Sequence, residues 1–344
     1  MAKKGALLVN LGSPDSFSKK DIKRYLGEFL MDKRVIDVPY WLRYLIVRGI
    51  ILRTRPPKTS KAYQKIWWPE GSPLIVISER LKQKVQSEVQ VPVELAMRYG
   101  NPSILSGLEA LHAQGVDEIL LIPLYPQYAM ATTETIEVLT EELLRQHFPQ
   151  TRLIKFPSFF HRQEYIEALA AVVRPALEAT TFDHLLFSYH GVPERHLYKT
   201  TPTAAHKNIE QEKPCCHPDS QEGQRCYRTH CFETTRLLAE YMGLKENFYS
   251  LSFQSRLGYD KWLQPFTTDR LAELAQQGVK RLAVLTPAFV ADCVETLEEI
   301  EIEGGKTFKE NGGEVFKVIP CLNDSPLWAK ALSTWIDELV KEER

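Results

Sequence analysis

The sequence predicts an α/β protein of two doubly wound parallel-sheet domains facing each other across a cleft. Three observations carry that expectation. Short apolar strand runs alternate with amphipathic helical stretches along all 344 residues, the pattern of right-handed βαβ units. The two halves repeat: Leu108 to Ile122 matches Leu271 to Leu285, with Gly115 against Gly278 at an offset of 163, each reading as a leucine pair at helical spacing, a glycine stop and a strand. A strand and turn near the amino terminus, Leu7 to Pro14, recurs as Leu185 to Pro193, and aligning Gly12 with Gly191 sets Leu11 opposite His190.

Taken in order, strands are expected near 5–10, 92–98, 118–124 and 152–156, then near 184–189, 248–254, 281–286 and 315–319. Helices are expected at Ile104–Ala113, Thr135–Arg145, Glu164–Arg174 and Asp269–Gln277. This divides the chain into a first domain at 1–160, a second at 161–324, and a carboxyl-terminal helical segment at 325–344 packing back on the first. Residues 35–68 interrupt the alternation. Large apolar groups from Val38 to Leu52 mix with Arg, Pro56-Pro57 should break any helix, and Arg53, Arg55, Lys58, Lys61 and Lys65 surround Tyr63, Trp67 and Trp68. That stretch suits a lip over the cleft for a flat apolar ligand bearing carboxylates, a membrane surface, or an ordinary core helix with a solvated loop.

A composition of 44% hydrophobic and 25% charged residues is that of a soluble globular chain. The net charge of −1 hides a basic amino-terminal segment, with fifteen Lys and Arg against five Asp and Glu in residues 1–65. Such a segment can meet nucleic acid or an anionic membrane, but no aromatic-basic RNA motif or zinc-finger spacing accompanies it, so no nucleic-acid partner is expected. Met1-Ala2-Lys3-Lys4 leads straight into a strand without a signal peptide, and Tyr44 to Leu52 is too short to span a bilayer, so a cytoplasmic protein is expected. Gly305-Lys306-Thr307 lacks the leading glycine of a phosphate loop, and no dinucleotide fingerprint follows either first strand.

Two stretches carry chemistry. In Leu185-Leu-Phe-Ser-Tyr-His190-Gly-Val-Pro193 an imidazole arrives where the strand stops, the edge at which open α/β sheets collect ligands. Histidine there can accept a proton, ligate a metal, or be a hydrogen-bonded core residue. After the strand ending at Leu285, Glu295, Glu299 and Glu303 recur every four residues with Asp292 just before them, so an α-helix would stack them on one face. Such a row can carry protons or hard cations, or be a solvated acidic face.

With these residues placed, the chain resembles the ferrochelatases over nearly its whole length. Ser188-Tyr-His190-Gly-Val-Pro193 looks like the family's histidine motif and Phe289 to Glu299 like its carboxylate motif. Phe253 to Gly258 with Trp262-Leu263, Tyr125 to Tyr128 with Thr132-Thr133, and Arg98-Tyr99 also match. The resemblance implies two Rossmann-like chelatase domains holding protoporphyrin IX between them for insertion of Fe(II), yielding protoheme. It implies that His190 and Glu295 are the catalytic, iron-contacting pair, and that Leu11, Arg55, Tyr63, Ser72, Arg98 and Tyr99 line the macrocycle pocket. Asp292, Glu299 and Glu303 form the expected proton or metal path. Cys293 departs from the histidine found in many relatives. Rival readings are a non-enzymatic tetrapyrrole or metal carrier, and a chelatase for coproporphyrin or cobalt.

Cys215, Cys216, Cys226 and Cys231 fall within seventeen residues, in what reads as a polar loop (213–231) before a helix from Thr234. Disulfides are disfavoured in a reducing compartment, and four thiolates suit zinc or a [2Fe–2S] cluster, with His217 and His230 as possible substitutes. Some bacterial ferrochelatases carry a cysteine-rich insertion that ligates [2Fe–2S], so the resemblance favours the cluster, in a structural or iron-sensing role.

Overall fold

The computed structural model describes residues 3–202, 206, 213–256 and 260–341. Leu257 and Gly258 of the motif beginning at Phe253, and the last three residues of the expected terminal segment, lie outside the described residues.

The first sheet contains β1 (Lys4–Ser13), β2 (Val93–Gly100), β3 (Glu118–Pro123) and β4 (Arg152–Lys155) in the order β2-β1-β3-β4. The second contains β5 (His184–His190), β6 (Tyr249–Gln254), β7 (Arg281–Leu285) and β8 (Val315–Val318) in the order β6-β5-β7-β8. All pairings are parallel. The order is the same in both sheets, as the internal repeat requires. The repeated helix stops also close alike: Gly115 N–H donates to His112 O and Val116 N–H to Leu111 O, and Gly278 N–H donates to Ala275 O and Val279 N–H to Leu274 O. Central strands read as continuous apolar runs because helices cover both faces; β3 is buried throughout and β5 up to its last residue.

The chain divides into two compact units. The first comprises Met1–Leu124, Met130–Pro157 and Asp324–Arg344, the second Tyr125–Ala129 and Ser158–Asn323. In the first, the final helix Pro326–Lys341 packs on the helix Pro73–Glu88, with Trp335 stacked 5.0 Å from Phe156. The segment 125–129 groups with the second unit because Tyr128 N–H donates to His230 Nδ1 and Gln127 Nε2 to Thr234 Oγ1.

Three local expectations are corrected. Pro56 does not end helical structure: it opens the helix Pro56–Ile66, where its missing N–H costs nothing, directly after a continuous helical run from Tyr40 to Thr54. The glutamate row lies on a π-helical segment, Glu295–Gly304, whose wider turns change the register of its side chains from that of an α-helix. The helix expected from Thr234 begins at Tyr227, with Cys226 as its amino-terminal cap residue, so Cys231 is helical rather than part of the loop.

At Gly12 the backbone takes a φ of +110°, and a Cβ would stand 1.8 Å from the Tyr99 carbonyl oxygen. Gly12→Ala is expected to lose at least about 2 kcal/mol of stability. Gly191→Ala should lose less, since the nearest atom to a Cβ there is 3.0 Å away and the φ is not left-handed. Denaturant midpoints of the two variants check the order, and equal losses would contradict it.

Candidate functional site

In the second unit, β5 delivers His190 at its last residue, paired with Gln254 at the end of β6. The turn behind it is held from several sides. Gly191 N–H donates to Gln254 O at 2.7 Å, Leu263 N–H to Val192 O at 3.1 Å, and Tyr227 Oη to His190 O at 2.7 Å. His190 Nδ1 lies 2.6 Å from the Gly191 carbonyl, which leaves Nε2 as the free lone pair, and Phe289 meets the ring edge-on at 6.2 Å. Burial pushes the imidazole below its ordinary value, and the Glu295 charge and the Gly191 carbonyl only partly offset that shift. A neutral ring near neutral pH is a base ready to receive a proton.

Glu295 begins the π-helical segment half-buried, while Glu299 and Glu303 are exposed, so the row leads from the imidazole outward. Ser255, at a φ of 63°, donates to Glu299 Oε2 at 2.6 Å. Asp292 does not join this row. Its buried carboxylate accepts from Asn323 Nδ2 at 2.7 Å, Thr296 Oγ1 at 3.0 Å and Cys321 N–H at 3.4 Å, which makes it a loop anchor. The buried Cys293 thiol hydrogen-bonds Glu295, which together with burial holds it protonated. Glu298 is also buried in the segment, a position the four-residue spacing passed over.

One residue that sequence reasoning left without a role ties these parts together. Gln254 is 3% exposed; its Oε1 accepts from Ser188 at 2.9 Å and its Nε2 donates to Glu295 O at 3.2 Å. Its backbone carbonyl holds Gly191. Its place at the end of the strand beside β5 was the available signal.

In the first unit the expected pocket residues occupy different environments. Tyr99 is buried, its Oη donating to Asp32 at 3.0 Å, while Arg98 pairs with Asp32, donates to Thr135 at 2.8 Å and lies over the Tyr99 ring. Hydrogen bonds and the Arg98 guanidinium hold the Asp32 carboxyl below the usual range despite its burial. Ser72 is buried and accepts from Ser13 Oγ at 2.7 Å; Tyr63 is buried against Trp67; Leu11 is half-buried; and Arg55 is exposed at the start of the helix Pro56–Ile66. Tyr99 and Arg98 thus brace one another around Asp32, while Arg55 is open to solvent.

The thiols are also unequal. Cys215 and Cys216 both hydrogen-bond Cys226, which pulls Cys226 down and pushes the other two up. Donor atoms of His206, Cys215 and Cys226 lie within 4.8 Å of one another. His217 is exposed, and His230 is committed elsewhere: Nδ1 accepts from Tyr128 N–H, Nε2 lies 2.8 Å from Gly223 O, and the ring stacks on Phe160. Neither histidine joins the thiols. His206, which sequence reasoning missed, does.

Fold and site together define a two-unit α/β metal chelatase. The SirB protein of Bacillus subtilis with Fe3+ aligns with 99% of this chain and 97% of its own at a TM-score of 0.56 and 14% identity. The cobalt complex of the sirohydrochlorin chelatase SirB from Bacillus subtilis subspecies spizizenii aligns at 0.53 and 12%, covering 98% and 94%. At these identities the likeness is one of fold alone. The ferrochelatase family profile matches residues 3–340. A ferrochelatase of Pseudomonas fluorescens strain Pf-5 is 52% identical over 330 residues, 95% of each chain, and one of Stutzerimonas stutzeri strain A1501 is 46% identical over 333 residues, 96% and 97%. The chain belongs to the ferrochelatase family, and it is an enzyme of that lyase class, acting in heme biosynthesis on iron and protoporphyrin.

Gln254→Leu should lower kcat for metal insertion by about tenfold or more while leaving KM for the porphyrin nearly unchanged, because His190 is displaced rather than removed. Steady-state kinetics separates the two. An equal effect on both constants would mean that Gln254 serves binding instead.

Proposed function

We infer that this ferrochelatase inserts Fe(II) into protoporphyrin IX with His190 as the base that removes pyrrole protons. The observation that carries the assignment is a neutral imidazole at the carboxyl end of β5, beside the Glu295 carboxylate. The macrocycle must lose two protons as the metal enters. His190 receives them, Glu295 offers iron a weak oxygen ligand beside it, and Glu299 and Glu303 pass protons to water. In the first unit Leu11, Tyr63 and Ser72 are assigned to the macrocycle, Arg55 to its carboxylates, and Arg98 and Tyr99 to a pocket wall stiffened through Asp32.

The test is a stopped assay with Fe(II) or Zn(II) and protoporphyrin IX, read in the visible spectrum. His190→Ala should lose at least about a hundredfold in turnover while porphyrin binding persists. Binding without metalation by the wild-type protein would instead mean a carrier, and preference for coproporphyrin or cobalt another chelatase. A second readout follows from the charge on Glu295, which holds the His190 pKa up. Glu295→Gln removes that support, so His190 stays neutral to lower pH and the acid limb of kcat/KM should move to lower pH, on top of a large drop in rate. An acid limb moving upward would contradict the pairing.

The cysteine segment is assigned a [2Fe–2S] cluster, with zinc as the alternative. The donor set fits either: thiols converge on Cys226, and the Arg228 guanidinium donates to Cys215 Sγ at 3.7 Å, a contact suited to anionic sulfur. The bound group would supply a fixed cross-link for the segment, in a reaction without redox change.

Among the described residues no helix is long and apolar enough to cross a membrane. A cytoplasmic protein making peripheral contact with anionic membranes is the reading favoured by the surface of 40–54. There Tyr40, Trp41, Tyr44, Leu45 and Ile50 are exposed alongside Arg48 and Arg53. Binding to anionic vesicles should weaken with salt, and equal binding to neutral vesicles would remove the electrostatic part.

A further inference from the structure

We propose that Asn323 is a positioning residue for metal insertion, holding through Asp292 the start of the segment that carries Glu295. The inference rests on the reading in which His190 and Glu295 act on the entering metal, and it names a support for Glu295 besides Gln254. Asn323 makes three bonds to the loop between β7 and Glu295. Its N–H donates to Val290 O at 2.8 Å. Its Oδ1 accepts from Asp292 N–H at 2.9 Å, and its Nδ2 donates to Asp292 Oδ2 at 2.7 Å. The last two bonds close a ring that ties the backbone and the side chain of Asp292 at once. The Asn323 backbone stands at a φ of 51°, in the left-handed region that glycine and asparagine accept more readily than other residues.

The hold continues to Glu295. Asp292 is buried, and its other oxygen, Oδ1, accepts from Thr296 Oγ1 at 3.0 Å and from Cys321 N–H at 3.4 Å. Thr296 is fully buried and directly follows Glu295; its hydroxyl also accepts from Cys293 N–H at 3.1 Å. Residues 292, 293 and 296 are therefore closed into one turn at the mouth of the π-helical segment, with Glu295 inside it. Gln254 Nε2 holds the Glu295 carbonyl at 3.2 Å. The backbone that aims the Glu295 carboxylate is thus fixed at its own carbonyl by Gln254 and at its flanks by Asp292, which Asn323 anchors.

The clasp needs one donor and one acceptor on a single short planar group, which asparagine supplies and ionised aspartate does not. An aspartate at 323 keeps the acceptor for the Asp292 N–H but sets a second carboxylate against the first, and like charges repel. Glycine there keeps the left-handed backbone and the bond to Val290 and loses both side-chain bonds. Exchanging the two residues restores the pairing. The amide at 292 then donates to the carboxylate at 323, the N–H at 292 still meets an oxygen, and the amide oxygen at 292 still receives Thr296 and Cys321. What the exchange moves is the charge, from 292 to 323, so it separates holding a turn from supplying a carboxylate at 292.

The experiment follows Zn(II) insertion into protoporphyrin IX by wild type, Asn323→Gly, Asn323→Asp, the exchanged pair Asp292→Asn/Asn323→Asp, and Glu295→Gln, with kcat and KM measured for each substrate. Asn323→Gly and Asn323→Asp should each lower kcat/KM for zinc by about tenfold or more while KM for the porphyrin stays within about twofold, because the displaced carboxylate meets the metal and not the macrocycle. The exchanged pair should return to within about threefold of wild type, a coupling that independent sites do not show. Far-UV circular dichroism and thermal midpoints confirm that each variant is folded, and Asn323→Gly, which keeps the backbone conformation, carries the test if the charged variants do not fold. Wild-type kinetics in Asn323→Gly, or a loss that falls equally on the porphyrin KM, overturns the positioning role. So does an exchanged pair that regains the wild-type thermal midpoint but not the turnover, since the carboxylate at 292 would then act in its own right. Wild-type turnover in Glu295→Gln instead overturns the reading of Glu295 on which the inference rests, whatever the Asn323 variants do.

Discussion

The amide of Gln254 lies where a strand end, a turn and a π-helical segment converge, and the placement of His190 and Glu295 depends on the bonds it makes. Its carbonyl fixes Gly191, its Oε1 takes the Ser188 hydroxyl, and its Nε2 holds the backbone of Glu295. Beneath it Ser188, Thr267 and Ser252 continue a buried hydroxyl chain at 2.8 and 2.9 Å. Each member left unpaired in that dry layer would cost about 1 to 3 kcal/mol. His190 and Glu295 are thereby set by strand register, the most rigid feature parallel sheets possess, instead of by loop conformation.

The strands were legible because a strand buried on both faces must be almost wholly apolar, and Leu7–Val9 or Leu185–Phe187 admit few other readings. The position of His190 followed from the same logic, since polarity returns where β5 ends. What escaped depends on partners distant in sequence or on bonding the side chains do not announce. Pro56 breaks a helix or begins one according to what precedes it. Glu295, Glu299 and Glu303 fit an α-helical period, but the π-helical bonding of 295–304 sets their true spacing. Asp292 was grouped with them by proximity in sequence, whereas Asn323 claims its carboxylate. His217 stands nearer to Cys215 in sequence than His206 does, yet the fold turns it to solvent.

The two units show how one topology is put to different uses. Both sheets have their first strand second in order, with a glycine near its carboxyl end, Gly12 within β1 and Gly191 just past β5. In the first unit that end carries Leu11, and the neighbouring β2 ends in the Arg98–Asp32–Tyr99 network; in the second the corresponding places carry His190 and Gln254. The scaffold fixes where side chains emerge, and residue identity decides what they can do there.

Tyr227 follows the cap residue Cys226 directly, and its hydroxyl donates to the carbonyl of His190. The cysteine segment and His190 are therefore one residue and one neutral hydrogen bond apart. Such a bond contributes about 1 kcal/mol net, and about 1.4 kcal/mol corresponds to a tenfold change in an equilibrium. By this route a displacement of Cys226 can alter the setting of His190 over roughly one order of magnitude, a dimmer rather than a switch.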